Sequence, residues 1–98
     1  MKVLVVSTEP VGARMAGPAI RAYELARTLA RACAVTIAAP APSTADLPLI
    51  EAGMADIEAL VAAAREHDIV IAQELPPVVL ARLGSVRLVA DLYNALVI

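Results

Sequence analysis

The chain has no phenylalanine and no tryptophan, and its only aromatic residues are Tyr23 and Tyr93. A core without large rings must be filled by small aliphatic side chains. Apolar residues make up 60% of the chain, above the roughly 45–50% of ordinary domains, so there are enough of them to do so. This composition suits helices packed closely on a parallel sheet. The lone cysteine, Cys33, excludes an internal disulfide and fits a reducing cytoplasm; near the end of an alanine-rich helix it reads as a buried spacer. With a single histidine, His67, no ligand spacing supports a zinc site or a Cys/His nucleophile pair. A net charge of −2 gives no basic footprint for nucleic acid. No apolar run reaches the roughly 18–20 residues of a membrane span. The run after Lys2 is only four residues long, too short for a signal peptide.

What is present alternates between strand and helix. Residues 2–7 and 34–39 read as buried strands, the second stopped by Pro40. Pro40, Pro42 and Pro48 mark the intervening stretch as loop, with a short edge strand expected at 47–50. Met54, Ile57, Leu60, Val61 and Ala64 form one face of an amphipathic helix, for which Gly53 is the expected N-cap. Residues 68–72 and 86–91 read as further strands. Between them a short helix starts at Pro76-Pro77, runs through Leu83 and is closed by Gly84 at C′. Apolar strands separated by helices imply an α/β fold: a doubly wound, Rossmann-like parallel sheet of four to five strands with helices on both faces. The expected order is 3-2-1-4-5, or the same sheet without its third strand. Ligands bind such sheets at the carboxyl ends of the strands, beside the switch point.

Residues 2–31 are the most informative stretch. They comprise a strand, the loop 8–17, and a helix opening at Pro18. A loop running into a helix N-terminus presents unpaired amides and the positive dipole end to an anion. The expected cap is Gly17, where the missing Cβ lets a phosphate approach, with Pro18 at N1 and Arg14 as the loop's cation. A plain surface connection with good capping fits the spacing equally well. Gly12 and Gly17 do not complete a dinucleotide-binding G-x-G-x-x-G. They have Walker A spacing, but Pro18-Ala19 stand where lysine and a hydroxyl are needed. Arg21, Glu24, Thr28 and Arg31 read as the solvated face of the helix. Glu9, Glu74 and Asp91 fall near the ligand edge, where carboxylates can hydrogen-bond sugar hydroxyls or act as a general base; solvated loop positions explain them as well. Asp91 directly follows a buried strand, where a charge needs a partner. His67 lies at the opposite end of the sheet, at a helix C-terminus, and reads as structural.

Residues 1–30 resemble the start of family-4 type glycosyltransferases of the GT-B fold, most specifically at 15–22. Residues 68–74 and 88–94 are similar to the family's fourth and fifth strands. The resemblance implies the N-terminal, acceptor-side domain of a two-domain retaining enzyme that moves a sugar from a nucleotide-sugar donor to an acceptor. It needs no metal and no cofactor apart from the donor itself. The loop at Gly17, with Ala16, Arg14, Glu9 and Tyr93, would approach the donor diphosphate, and Glu74 and Asp91 are the catalytic candidates. In two respects the chain departs from the family. Ala16 precedes Gly17 where the family often has a second glycine, and the second domain, with its glutamate motif, is not within the 98 residues. The chain by itself is therefore not expected to turn over substrate. The apolar ending 94–98 is expected of a piece cut from a longer protein, although a terminal edge strand would end similarly. The fragment is expected to pair with itself through Leu96 to Ile98. The parent enzyme is expected in the cytoplasm, with peripheral membrane docking left open. The rival readings are a stand-alone flavodoxin-like or Rossmann-like ligand-binding module and an assembly fragment.

Overall fold

The computed structural model describes residues 1–90. Its elements are β1 (Lys2–Val6), α1 (Gly17–Leu29), β2 (Ala34–Ala39), β3 (Leu49–Glu51), α2 (Ile57–Arg65), β4 (Ile69–Ala72), α3 (Pro77–Leu80) and β5 (Arg87–Ala90). All five strands pair in parallel in the order β3-β2-β1-β4-β5. This is a Rossmann-like α/β sheet, with the third strand present.

The alternation of side chains along β1 explains why both faces are covered. Val3 and Val5 join the cluster under α1, together with Ala19, Ala22, Ala26, Val35 and Ile37. Leu4 and Val6 join the opposite cluster, with Leu60, Val61, Ala64, Val70, Val79 and Leu83. A central strand flanked on both sides has no solvent face, so its residues read as one apolar run. The edge differs: every residue of β5 is exposed. Among the described residues no helix is long and apolar enough to cross a membrane.

Several boundaries differ from the sequence reading. The N-cap of α1 is Ala16, not Gly17. Ala16 is extended, with ψ 168°, and its carbonyl accepts Ile20 N–H at 3.0 Å. Gly17 is therefore the first helical residue and Pro18 the second. Proline fits either position, because neither amide there has an acceptor within the helix. The N-cap of α2 is Asp56, not Gly53. The Asp56 carboxylate accepts Gly53 N–H at 2.8 Å, and Asp56 N–H donates to Gly53 O at 3.0 Å, so the turn 53–56 closes ahead of the helix. The third helix stops at Leu80 and continues as successive turns to Leu83. Gly84, at φ 67°, supplies the left-handed residue after those turns rather than the C′ of the helix itself. The edge strand begins at Leu49, because Pro48 has no N–H; the Pro48 carbonyl still accepts Ile37 N–H at 2.8 Å.

Candidate functional site

The order β3-β2-β1-β4-β5 places the switch point between β1 and β4. There the chain leaves β1 in one direction and later returns on its other side. The loop 7–16 emerges at this point and is built in two halves. Ser7 is 1% exposed and donates its N–H to Ala38 O at 2.8 Å. Its hydroxyl donates to Glu9 O at 2.7 Å and accepts Glu9 N–H at 3.3 Å, forming a tight turn that leaves Glu9 exposed. Val11 then dips into the core at 2% exposure. Its N–H donates to the Ser43 hydroxyl at 2.9 Å, and its carbonyl accepts Thr44 N–H at 2.8 Å. Beyond this anchor Ala13 and Arg14 are exposed, Met15 packs back against the cluster under α1, and Ala16 caps the helix.

The start of α1 has no side-chain cap. Ala16 has no side-chain acceptor, so it offers the exposed amide of Gly17 no cap; Pro18 has no N–H, and Ala19 is fully buried. No acidic residue stands in the first turn. Gly17 is exposed, its φ is not positive, and a Cβ built on it would meet nothing within 4 Å. Neither strain nor crowding requires glycine here. The bare backbone faces open space, and glycine keeps that approach clear.

Beside it lies a cleft of about 320 Å³ lined by Gly17, Ile20, Arg21 and Glu24. These residues fall at i, i+3, i+4 and i+7, on one face of the helix. Arg21 thus shares the cleft with Gly17, although its sequence context reads as an ordinary solvated position. The signal was available in the four-residue spacing from Gly17. Glu24 lies at the far end and is paired with Arg27 at 3.3 Å.

A second cleft of about 280 Å³ opens at the carboxyl ends of β4 and β5, lined by Ala72, Gln73, Glu74, Leu75, Leu80, Leu88 and Ala90. It holds Glu74, which is exposed at the sheet edge as expected. Among the described residues no hydrogen bond or ion pair joins Glu9, Arg14 and Glu74; the ion pairs lie elsewhere, at Arg27–Glu24 and Arg82–Glu58. The structure therefore puts Glu9, Arg14, Ala16 and Gly17 on one loop and Glu74 on the next. Asp91, Tyr93 and the 96–98 run lie outside the described residues.

His67 is structural. It is 8% exposed, and its Nδ1 lies 2.6 Å from Ala63 O. A carbonyl only accepts, so Nδ1 carries the proton and donates. Cys33 is half-buried and packs against the cluster under α1. Among the described residues no group of three His, Cys, Asp or Glu gathers to hold a metal.

Two polar latches tie the helices down. Tyr23 on α1 donates its hydroxyl to Asp46 at 2.8 Å, and this hydrogen bond, with the nearby Asp46 charge, raises the tyrosine above its ordinary pKa. Arg82 forks onto Glu58 at 2.5 and 3.1 Å, and the bond and charge hold the Glu58 carboxyl below its ordinary value. Arg65 Nε donates to Arg82 O at 3.0 Å, joining α2 to the turns after α3. No family model, no curated protein and no solved structure matches this chain.

Proposed function

We propose that this chain is the acceptor-side half of a two-domain GT-B glycosyltransferase, and that the loop ending at Gly17 receives the diphosphate of a nucleotide-sugar donor. The supporting observation is the uncapped, unobstructed start of α1 at the switch point of a parallel sheet. Oxygen atoms of a diphosphate accept hydrogen bonds from amides at such a terminus, and the helix dipole favours their charge. The resemblance of residues 15–22 to the family's first loop supports the same placement. In this reading Gly17 and Ala16 bring backbone to the diphosphate, and Arg14 supplies a positive charge from the loop. Glu9 and Glu74 lie where sugar or acceptor hydroxyls would pass. Turnover requires the second domain, which carries most donor contacts in that family.

Calorimetric titration of the chain with UDP, GDP and inorganic pyrophosphate tests the site. Binding should be saturable and weakened roughly tenfold or more in Gly17→Asp. That variant fits sterically, because nothing lies near its Cβ. An acidic residue in the first turn also favours the helix. A folded Gly17→Asp that binds pyrophosphate as well as the wild type would refute the placement. Binding without any dependence on the nucleotide or sugar would leave a plain anion-binding module.

A further inference from the structure

We propose that Ser43 is a positioning residue for this loop, holding the 12–16 arm in its anion-receiving form from the loop between β2 and β3. The inference rests on the anion reading above. Ser43 lies 32 residues from Val11 in sequence yet holds its amide. Its hydroxyl does two jobs at once, accepting Val11 N–H at 2.9 Å and donating to Pro40 O at 2.6 Å. Its own N–H is held by the Glu51 carboxylate at 2.9 Å, at the end of β3. The neighbouring Thr44 N–H meets Val11 O at 2.8 Å, so both backbone groups of Val11 are bound to residues 43 and 44.

The consequence is mechanical. A chain of hydrogen bonds runs from Glu51 through Ser43 to Val11, and the arm carrying Arg14 and Ala16 begins at the next residue, Gly12. A Cβ on Gly12 would stand 3.4 Å from the Thr44 hydroxyl, so the two segments are in close contact there. Among the described residues, without the Ser43 hydroxyl the amide of a residue only 2% exposed loses its acceptor. The arm would then sample more conformations, and an anion binding the start of α1 would have to order it again.

The test compares Ser43→Ala and Ser43→Thr in the full chain, following amide exchange and pyrophosphate titration together. In Ser43→Ala, exchange at Val11 and Gly12 should rise about five- to tenfold, the factor carried by loss of one partly buried hydrogen bond. Pyrophosphate affinity should fall by about the same factor, while exchange in β4 stays unchanged. Ser43→Thr keeps the hydroxyl and should restore both. Unchanged exchange, or faster exchange with unchanged affinity, overturns the role of Ser43 while the anion site stands. Absence of pyrophosphate binding to the wild-type chain overturns the anion reading and this role with it. Should Ser43→Ala not fold, Glu51→Ala decides instead: it frees the Ser43 N–H from the exposed side, and an unaltered affinity and exchange there count against the proposal.

Discussion

On one side of the sheet α1 packs through Ala19, Ala22 and Ala26; on the other, α2, α3 and the turns after α3 pack through Leu60, Val61, Val79 and Leu83. Alanine lets the backbone of α1 lie close to β1 and β2, and polar ties from residues 43–46 reach Val11 in the preceding loop and Tyr23 on the helix. The opposite side gains its hold from volume, closed at the rim by the Arg82–Glu58 pair. The difference separates two modes of packing. One face packs its helices through leucine and valine, and the other packs its helix through alanine, close to the sheet.

Core substitutions should show this asymmetry most strongly. Leu60→Ala empties a site 1% exposed and should cost about 2–5 kcal/mol, read as a lower urea midpoint. Ala22→Leu, by contrast, forces methyl groups between α1 and the sheet and should cost about 1–3 kcal/mol. It should also weaken pyrophosphate binding, which Leu60→Ala should not do while folded. Equal effects of the two on binding would dissolve the division of labour.

The next largest effect belongs to Gly17→Asp, which should lower pyrophosphate affinity roughly tenfold or more through charge repulsion at close range. Its melting temperature should match or exceed that of the wild type. A variant that melts early would mean that Gly17 serves packing instead.

The two polar latches should yield the smallest effects, at opposite ends of the pH scale. The folded pKa of Tyr23 is raised, so the stability it adds is whole below the unfolded tyrosine value and is lost as pH rises through the folded one. Tyr23→Phe should therefore flatten the alkaline fall in stability. The folded pKa of Glu58 is lowered, so its contribution is whole above the unfolded carboxylate value and is lost as pH falls through the folded one. Glu58→Gln should flatten the acid fall in the same way. Both groups are open to water, so each difference should be slight. Acid and alkaline melts of the two variants check the signs, and a reversal of either would void the latch assignment.

Much of this fold was legible in the chain, because its strands are short apolar runs punctuated by proline and glycine. The strand order followed from that pattern together with right-handed crossovers. Exact caps were not legible. Pro18 is compatible with either of the first two helical positions, so Gly17 and Ala16 could exchange roles without any change in the pattern. Asp56 sits one turn beyond Gly53, and its carboxylate bonds backwards to that residue, which spacing does not reveal. Arg21 was only half legible: its four-residue spacing from Gly17 puts both on one helix face, but an arginine on an amphipathic helix looks solvated until a cleft is seen beside it. Ser43 was illegible altogether. It lies in a proline-punctuated loop, and its function depends on a partner 32 residues away.

The most direct measurement is an amide-resolved NMR titration of the chain with inorganic pyrophosphate. Saturable shifts should be largest at the Gly17 amide, smaller along residues 12–16, and absent on α2. Saturation with the Gly17 amide unmoved, or with the strongest shifts on the α2 side, would contradict the anion site.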